Sequence, residues 1–340
     1  MKIVVDDKIP YIREAIEKLG FDVTYCRGNE FRDCSALDDA EALIIRTRTK
    51  CDEQLLSGTN IRFIATATIG YDHIDTDFLD KNDIKWTNCP GCNAASVAQY
   101  IRNSLLVLSK NGKLQLNKAV VGVVGVGHVG KEVVKALDEI GVNKILLNDP
   151  PRAEKEGIGE FHSLEELFAE CDVITLHTPL TKTGKYPTYL LIDEQEFGHI
   201  KKQPIVINAA RGGVVNEKAL ISALDEGIIS DVVIDTWENE PEINRELLEK
   251  AVIATPHIAG YSADGKANAS RMALMAVCDF FGILPDFDIQ PPALDIDLPK
   301  DKIECYLELY NPLKDCLRLK EEPEKFEYFR ENYPLRREQI

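Results

Sequence analysis

One short segment, residues 125–130, constrains the fold of this chain more than any other. It reads GVGHVG, follows directly on the apolar run AVVGVV, and precedes a stretch that carries Val133, Val134, Leu137 and Ile140 on one helical face. Glycines at this spacing between a strand and a helix permit a tight turn and let a pyrophosphate approach the backbone and the helix N-terminus. The segment therefore predicts a βαβ unit that binds a dinucleotide.

A carboxylate at the end of the next apolar run indicates which dinucleotide. Asp149 stands nineteen residues past Gly130 in the sequence ILLND. A carboxylate at this position accepts hydrogen bonds from the ribose hydroxyls of NAD and repels the additional phosphate of NADP. Arg152 follows after two prolines and would favour NADP, so NADP stays an alternative to the expected NAD.

Short apolar runs alternate with amphipathic stretches along most of the chain, which is the pattern of parallel α/β structure. In the first part we predict strands at 3–5, 23–26, 42–46 and 61–66, with helices at 12–19 and 74–81. A helix over 93–108 would bridge two domains. In the second part we predict strands at 119–124, 144–148, 173–177, 205–208, 232–235 and 252–255, with helices at 131–140, 164–170 and 218–225. The second series predicts a doubly wound sheet.

The charge balance excludes several classes of partner. The chain has 340 residues, with 57 acidic and 40 basic side chains and a formal net charge of −17. The electrostatic field of a chain with this net negative charge repels nucleic acid and anionic membranes. We therefore expect a small-molecule substrate, and an anionic substrate would need locally placed arginines or backbone amides.

The N-terminal sequence and the cysteines predict a cytoplasmic protein. The start, MKIVVDDKIP, lacks the features of a secretory signal, and no stretch approaches the roughly 18 apolar residues of a membrane span. Nine scattered cysteines are unlike a secreted disulfide framework. The pair Cys89 and Cys92 is a redox or half-zinc motif in form, but a Pro-Gly turn with two incidental thiols is the preferred interpretation, and no metal is expected.

Three polar residues follow neighbouring strands of the second predicted sheet. Arg211 comes after IVIN, Glu240 after VVIDT, and His257 after VIATP. The carboxyl ends of parallel strands meet at one edge, which is where ligands bind in such sheets. The ordinary pKa of an imidazole, about 6.5, suits a base that takes a hydroxyl proton. An adjacent carboxylate would fix its tautomer and stabilise the imidazolium, and a guanidinium would bind a carboxylate and polarise C2 of a 2-hydroxy acid.

Longer segments carry a family resemblance. GVGHVG with Asp149, INAARGGVVNEKAL (207–220), DTWENEP (235–241), TPHIAGYS (255–262) and ATATIGYDHID (65–75) resemble the D-isomer-specific 2-hydroxyacid dehydrogenases nearly end to end. The resemblance implies an NAD-binding Rossmann domain over 93–260. It also implies a smaller flavodoxin-like α/β substrate domain over 1–92 and 261–283.

The resemblance also assigns residues. It implies that Arg211, Glu240 and His257 are the catalytic set, with His257 the acid/base. Cofactor contacts are implied for Gly125, Gly127, His128, Val129, Gly130, Asp149, Thr178, Asp235 and Gly260. Substrate contacts are implied for Thr47, Thr68 and Tyr261.

Further segments narrow the resemblance within the family. IRTRTKC (45–51), CPGCNA (89–94), NDPPRA (148–153) and HTPLTKTGKY (177–186) are similar to members that oxidise a small phosphorylated 2-hydroxy acid. FEYFRENYPLRRE (326–338) resembles their dimer-forming tail, so a dimerisation region over 284–340, beginning with a linker at 284–299, and a homodimer are expected. Arg46 and Arg48 are candidates for the substrate phosphate.

Two features of the sequence depart from the family pattern, and three other functions are alternatives to the expected one. Gln99 stands where the family usually has glutamate, and the chain ends earlier than is typical, which implies an abbreviated tail. The motifs alone also fit a phosphoglycerate, glyoxylate or hydroxypyruvate dehydrogenase. They also fit a dinucleotide-sensing corepressor, although the net charge disfavours contact with DNA. A methyltransferase would leave the histidine, glutamate and arginine without a task.

Overall fold

The chain divides into two compact α/β units. The computed structural model describes residues 1–294 and 297–338. The first unit comprises Met1–Asn93 and Ser262–Leu294, and the second comprises Ala94–Tyr261 with the described residues beyond Leu294. Residues 295–296, inside the predicted linker, and 339–340, at the end of the predicted dimerisation region, lie outside the described residues.

Eleven strands are found in the described residues, including all ten predicted ones. They are β1 (Lys2–Asp6), β2 (Asp22–Cys26), β3 (Ala42–Ile45), β4 (Phe63–Thr66), β5 (Lys85–Thr87), β6 (Val120–Val124), β7 (Lys144–Asn148), β8 (Val173–Leu176), β9 (Ile205–Asn208), β10 (Asp231–Ile234) and β11 (Ile253–Ala254). The short strand β5 was not predicted, because its three residues show no apolar run.

The α-helices among the described residues number fourteen. They are α1 (Arg13–Lys18), α2 (Glu53–Leu56), α3 (Thr76–Lys81), α4 (Ala94–Lys110), α5 (His128–Glu139), α6 (Pro150–Glu156), α7 (Leu164–Glu170), α8 (Glu194–Phe197), α9 (Glu217–Asp225), α10 (Arg245–Lys250), α11 (Ala263–Phe281), α12 (Lys302–Leu309), α13 (Pro312–Glu321) and α14 (Phe326–Glu331). The helix predicted over 93–108 is α4, which begins the second unit.

The sheet of the first unit is parallel, in the order β2-β1-β3-β4-β5. This is the flavodoxin-like order, as expected. Side chains alternate between the two faces: Ile3 and Val5 pack in one apolar cluster with α11, and Val4 packs in another. Both faces are therefore covered, so the polar groups at the ends of the strands are the ones left for chemistry.

The sheet of the second unit has the order β11-β10-β9-β8-β6-β7, and every pairing is parallel. A parallel bridge between Leu147 and Phe161 adds the remnant of a further strand outside β7. With that remnant the order is the usual Rossmann one, in which the first strand lies at the point where the chain reverses direction across the sheet. The predicted fold class is confirmed.

The C-terminal helices pack into the core of the second unit. Cys316, Leu319, Phe326 and Phe329 are buried in the same apolar cluster as the strands of that sheet. Part of the predicted linker is also anchored, because Ile289 is 1% exposed in a core cluster of the first unit. A separate dimerisation region over 284–340 remains a prediction, as do the other domain boundaries taken from the sequence.

The cysteines differ from expectation at one place. Cys26, at the end of β2, and Cys34 form a disulfide across a short loop. The other seven cysteines are buried thiols. Burial raises the pKa of Cys89 to about 12, and its Sγ donates to the carbonyls of Thr66 and Ala269, so this thiol is an inert structural group.

Neither a membrane-crossing helix nor a metal-binding cluster is found in residues 1–294 and 297–338. None of the helices there combines the length and the apolar character that a span requires. Nowhere in these ranges do three or more His, Cys, Asp or Glu side chains converge in a way that could hold a metal ion.

Candidate active site

The glycine-rich turn lies where the second sheet reverses its strand order. β6 lies between β7 and β8, and the turn follows it at once. A Cβ at Gly130 would overlap the carbonyl oxygen of Gly125, so only glycine lets α5 start this close to β6. Gly127 has open space around its Cα, and the first residue of α5, His128, is exposed. The N–H groups at the start of a twelve-residue helix thus face an accessible surface that suits an anion.

Asp149, at the end of β7, accepts hydrogen bonds from two backbone N–H groups at the same edge of the sheet. Its Oδ2 accepts a hydrogen bond from the Val126 N–H at 2.8 Å, and its Oδ1 caps α6 by accepting from the Arg152 N–H at 3.0 Å. The guanidinium of Arg152 donates to both carboxylate oxygens of Glu156 and to the Val126 carbonyl. Because its donors are engaged, Arg152 is poorly suited to hold the additional phosphate of NADP.

Polar atoms without partners mark the neighbouring strand end. Beyond β8, the Nδ1 of His177 and the Oγ1 of Thr178 are buried and have no hydrogen-bond partner among the described residues. Burial lowers the pKa of His177 to about 3, so this imidazole is neutral. Buried polar groups without partners are unusual, and they fit a polar ligand lying at this edge.

The loops after β9 and β10 are packed backbone against backbone. A Cβ at Gly212 would overlap the Trp237 carbonyl. The Asn208 amide also bridges the two loops, because its Nδ2 donates to the Arg211 carbonyl at 3.1 Å and to the Thr236 carbonyl at 3.5 Å. The turn that carries Arg211 is thereby fixed beside the loop that leads to Glu240.

Glu240 and His257 form a hydrogen-bonded pair. The Nδ1 of His257 lies 2.8 Å from Oε2 and 3.0 Å from Oε1 of Glu240. Burial would raise the pKa of Glu240, yet the His257 hydrogen bond, the Trp237 N–H and the charge of Arg330 together lower it. The carboxylate is therefore ionised, and it directs Nε2 of the imidazole away from itself.

Asp235 holds the turn that presents His257. Its carboxylate is 1% exposed and accepts from the Ile258 N–H, the Ala259 N–H and the Thr255 hydroxyl at 2.8, 2.9 and 2.6 Å. His257 itself has φ +56°, a left-handed conformation that is uncommon for residues other than glycine. Such backbone strain needs firm support, and the Asp235 bonds supply it. The expected contact of Asp235 with a cofactor remains a prediction.

Comparison with known proteins identifies the family of the chain. Residues 94–259 match the family model of the D-isomer specific 2-hydroxyacid dehydrogenase NAD binding domain. The chain is 53% identical to the erythronate-4-phosphate dehydrogenase of Bacteroides thetaiotaomicron over 341 residues, covering all of this chain and 97% of the relative. It is 51% identical to the enzyme of the same name from Bacteroides fragilis, with the same coverage.

The fold comparison points to the same group. The NAD⁺-bound 3-phosphoglycerate dehydrogenase of Entamoeba histolytica matches with a TM-score of 0.68 at 28% identity, over 85% of this chain and 98% of that one. The chain belongs to the D-isomer specific 2-hydroxyacid dehydrogenase family. NAD is the expected cofactor and the one that the family model names, and the open surface at Gly127 with the unpartnered Thr178 hydroxyl fits it.

Two residues with expected substrate contacts lie at one edge of the dehydrogenase's first sheet. Thr47 follows β3 and is exposed, and Thr68 follows the adjacent β4. The Thr68 hydroxyl lies 2.7 Å from that of Thr66 and donates to the Gly70 carbonyl. The third, Tyr261, belongs to the second unit, directly after the loop that carries His257.

The arginines near Thr47 differ in their surroundings. Arg46 donates from Nη2 to Oδ1 of the fully buried Asp6 at 3.0 Å, so much of its charge is already balanced. Arg48 is exposed on the same loop. Both arginines remain predicted contacts of the substrate phosphate.

Residues that the sequence analysis did not single out surround the dehydrogenase's histidine–glutamate pair. Arg330, on α14, lies 3.6 Å from Oε2 of Glu240. Arg336, also in the C-terminal segment, is 7% exposed and donates to the carbonyls of Ile258 and Ala259 at 3.0 and 2.7 Å. Both lie in the segment 326–338, which the sequence analysis related only to dimer formation; their contacts with the loop of His257 were not predicted, because they join segments that are far apart in sequence.

Gln99 takes part in the same contacts. Its Oε1 accepts from the Arg336 Nε at 2.8 Å, and its Nε2 donates to the Arg337 carbonyl at 2.7 Å. An amide does both, whereas an ionised carboxylate only accepts. Glutamine at position 99 can therefore bond both the Arg336 side chain and the Arg337 carbonyl, whereas an ionised glutamate could bond only the first.

Proposed function

We propose that this dehydrogenase oxidises 4-phospho-D-erythronate to (R)-3-hydroxy-2-oxo-4-phosphooxybutanoate with NAD, a step in the biosynthesis of pyridoxal 5′-phosphate (vitamin B6). The relatives at 53% and 51% identity carry the name of this activity over their full length. The observation that carries the proposed chemistry is the 2.8 Å hydrogen bond between His257 and Glu240, beside the loop of Arg211.

His257 acts as the base in this proposal. Glu240 engages Nδ1, so Nε2 takes the proton of the C2 hydroxyl while C2 loses a hydride. The bound nicotinamide supplies the acceptor for that hydride. The carboxylate stabilises the imidazolium that forms, and in the reverse direction the imidazolium returns the proton.

Arg211 binds the substrate carboxylate in this proposal. Its guanidinium has a planar fork that matches a carboxylate and also polarises the developing C2 carbonyl. Its Nη1 donates to the carbonyl of Ala210 at 2.8 Å, which orients the fork, and the side chain is exposed as a ligand contact requires.

We assign the substrate phosphate to the loop after β3. Arg48 supplies the cation, and the Thr47 hydroxyl and loop amides supply neutral donors. The −17 charge of the chain makes such a local cation necessary for a substrate with two anionic groups. Thr68 and Tyr261 complete the proposed substrate contacts.

A substrate comparison tests the proposal. NADH formation is followed by absorbance with 4-phospho-D-erythronate, 3-phospho-D-glycerate, D-glycerate and glycolate at equal concentrations. We expect kcat/KM for 4-phosphoerythronate to exceed each of the others by about 100-fold or more, because both anionic groups and the chain length must match. A higher value with 3-phosphoglycerate would overturn the substrate assignment and leave the family assignment intact.

Variants of the arginines test the phosphate site. Arg48→Ala is expected to raise KM for 4-phosphoerythronate by about tenfold or more, since a charged hydrogen bond is worth about 1.5–3 kcal/mol. Arg32→Ala is the control, because Arg32 is exposed on the same unit and pairs with Asp52. An unchanged KM in Arg48→Ala would remove that residue from the site.

The assembly and location remain proposals. We propose a homodimer through the C-terminal region and a location in the cytoplasm, with no nucleic-acid or membrane partner. Sedimentation of the purified chain at several concentrations tests the dimer.

A further inference from the structure

The C-terminal segment reaches the catalytic pair through a short anchored helix. In α14, Phe326 and Phe329 are 0% and 7% exposed and pack in the core of the second unit. Arg318 from α13 lies over the Phe329 ring at 4.7 Å. With these two phenylalanines fixed, the next residue, Arg330, has a defined position at the edge of the packed face.

Arg330 contacts two residues of the proposed site at once. Its Nη1 lies 3.6 Å from Oε2 of Glu240, the oxygen that also bonds His257. Burial would lower the pKa of Arg330, yet the neighbouring Tyr261, Glu240 and Glu327 together raise it, and its Nη1 lies 3.7 Å from Oε2 of Glu327. The side chain is 30% exposed and that of Glu240 is 16% exposed, so solvent screens this pair only in part.

The segment beyond α14 holds the other side of the same loop. Arg336 donates to the carbonyls of Ile258 and Ala259, and its guanidinium stacks 3.9 Å from the centre of the Tyr310 ring. Tyr333 packs edge-on against Tyr261 with ring centroids 6.2 Å apart. The loop that carries His257 is thus bounded by side chains from the segment 330–336.

We propose that Arg330 is a positioning residue of the catalytic pair, which holds the Glu240 carboxylate and the Tyr261 phenol and links the C-terminal segment to proton transfer at His257. This inference rests on the proposed function for the roles of Glu240, His257 and Tyr261. A guanidinium suits the task, because its fork engages two partners in one plane, and an ammonium acts as a point charge.

Arg330 also contributes to the electrostatic potential at the imidazole of His257. Acidic or phenolic groups near the pair are Asp235 after β10, Glu217 on α9, Glu238 in the loop after β10, Glu327 on α14, and Tyr261. Two further cations are close: Arg336 holds the loop of His257, and Arg211 lies on the loop packed beside that of Glu240. Burial raises the pKa of Glu217 to about 7, so this carboxyl carries only part of its negative charge near neutral pH. Removing Arg330 takes away a positive charge that partly offsets the negative charge of the Glu240 carboxylate. The imidazolium form of His257 is then favoured.

The test compares Arg330→Ala, Arg330→Lys and the control Arg245→Ala, which changes an exposed arginine on α10 of the same unit. For Arg330→Ala we expect kcat/KM to fall about tenfold, and the acidic limb of its pH profile to move to higher pH by on the order of 0.5 units. Arg330→Lys should restore the position of the acidic limb, because the charge returns. We expect KM to be raised in both variants, because neither side chain reproduces the guanidinium fork beside Tyr261. Arg245→Ala should match the wild type in kcat/KM and in the position of the acidic limb.

A second readout is independent of the substrate. The C2–H NMR signal of His257, assigned with His257→Asn, is titrated in the wild type and in Arg330→Ala without ligands. We expect its midpoint to move to higher pH in the variant. Thermal denaturation followed by circular dichroism shows whether each variant is folded.

The outcomes separate the two proposals. If folded Arg330→Ala keeps the wild-type kcat/KM within twofold and the wild-type NMR midpoint, Arg330 has no positioning role. An Arg330→Lys variant that behaves like Arg330→Ala in the NMR midpoint would also overturn the inference. A wild type that fails to oxidise 4-phosphoerythronate would overturn the proposed substrate, and the NMR titration would still test Arg330.

Discussion

The Nδ1 of His257 lies 2.8 Å from Oε2 of Glu240, although the two residues are seventeen positions apart in the chain. The pair forms because β10 and β11 are adjacent and parallel, so the loops beyond their carboxyl ends meet. The Trp237 N–H fixes the same carboxylate from the other side at 2.9 Å. Glu240 is thus held between a backbone donor and the imidazole.

Replacing His257 by asparagine should remove the proton acceptor and leave cofactor binding intact. We expect kcat to fall by about 10²- to 10⁴-fold, the usual contribution of a general base. The Kd for NADH, measured by fluorescence, should stay within about threefold, because the glycine-rich turn is unaffected. His199→Asn is the control on an exposed histidine. A His257→Asn variant with normal turnover would contradict the assigned role.

Asp149→Asn should relax the discrimination against NADP. Asparagine keeps an acceptor for the Arg152 N–H, so the cap of α6 survives while the negative charge is lost. We expect the ratio of kcat/KM for NADP to that for NAD to rise about tenfold or more. An unchanged ratio would show that another group excludes the phosphate. Arg152→Ala serves as the comparison, and because Glu156 already engages that guanidinium, the ratio should change little.

Gly212→Ala should separate the loops of Arg211 and Glu240. The added Cβ would overlap the Trp237 carbonyl, and overpacking of this kind costs about 1–3 kcal/mol. A displacement of even about 1 Å should also lower kcat by about 100-fold. Urea unfolding and steady-state kinetics measure the two effects. Gly159→Ala, where a Cβ meets open space, should change neither; full activity in Gly212→Ala would argue against a need for this close approach.

His177 should make the fold sensitive to mild acid. Its pKa is about 3 in the folded protein because of burial, against 6.5 when unfolded. The unfolded chain therefore binds a proton below about pH 6.5 that the native state does not, so stability falls as pH falls through this window. At about pH 5 the loss amounts to about 2 kcal/mol relative to neutral pH.

The control for this effect is a difference between variants. The free energy of unfolding in urea is measured at about pH 7.5 and about pH 5 for the wild type, His177→Gln and His199→Gln. His177→Gln should lose less stability between the two pH values than the wild type, whereas His199→Gln should lose as much. Equal losses in all three proteins would show that His177 titrates normally.

Local patterns predicted the strands well, because buried parallel strands are apolar runs that local sequence reveals. β7 and β9 were predicted with the bounds observed. β5 was missed since Lys85–Thr87 pairs on one side only, at the edge of its sheet, and has no apolar run. α6 was missed because two prolines open it, although they occupy the first turn, where their missing N–H groups cost nothing.

The sequence by itself determined the two α/β units, the cofactor and the strand ends that carry Arg211, Glu240 and His257, because these follow from periodicity and from motifs whose residues are neighbours in the chain. Only the tertiary structure decided that Arg152 is occupied by Glu156 and Arg46 by Asp6. It alone also decided that Arg330 and Arg336 support the loop of His257. Such contacts depend on how distant segments pack, and a charged side chain looks the same in the sequence whether it meets solvent, a carbonyl or a catalytic carboxylate.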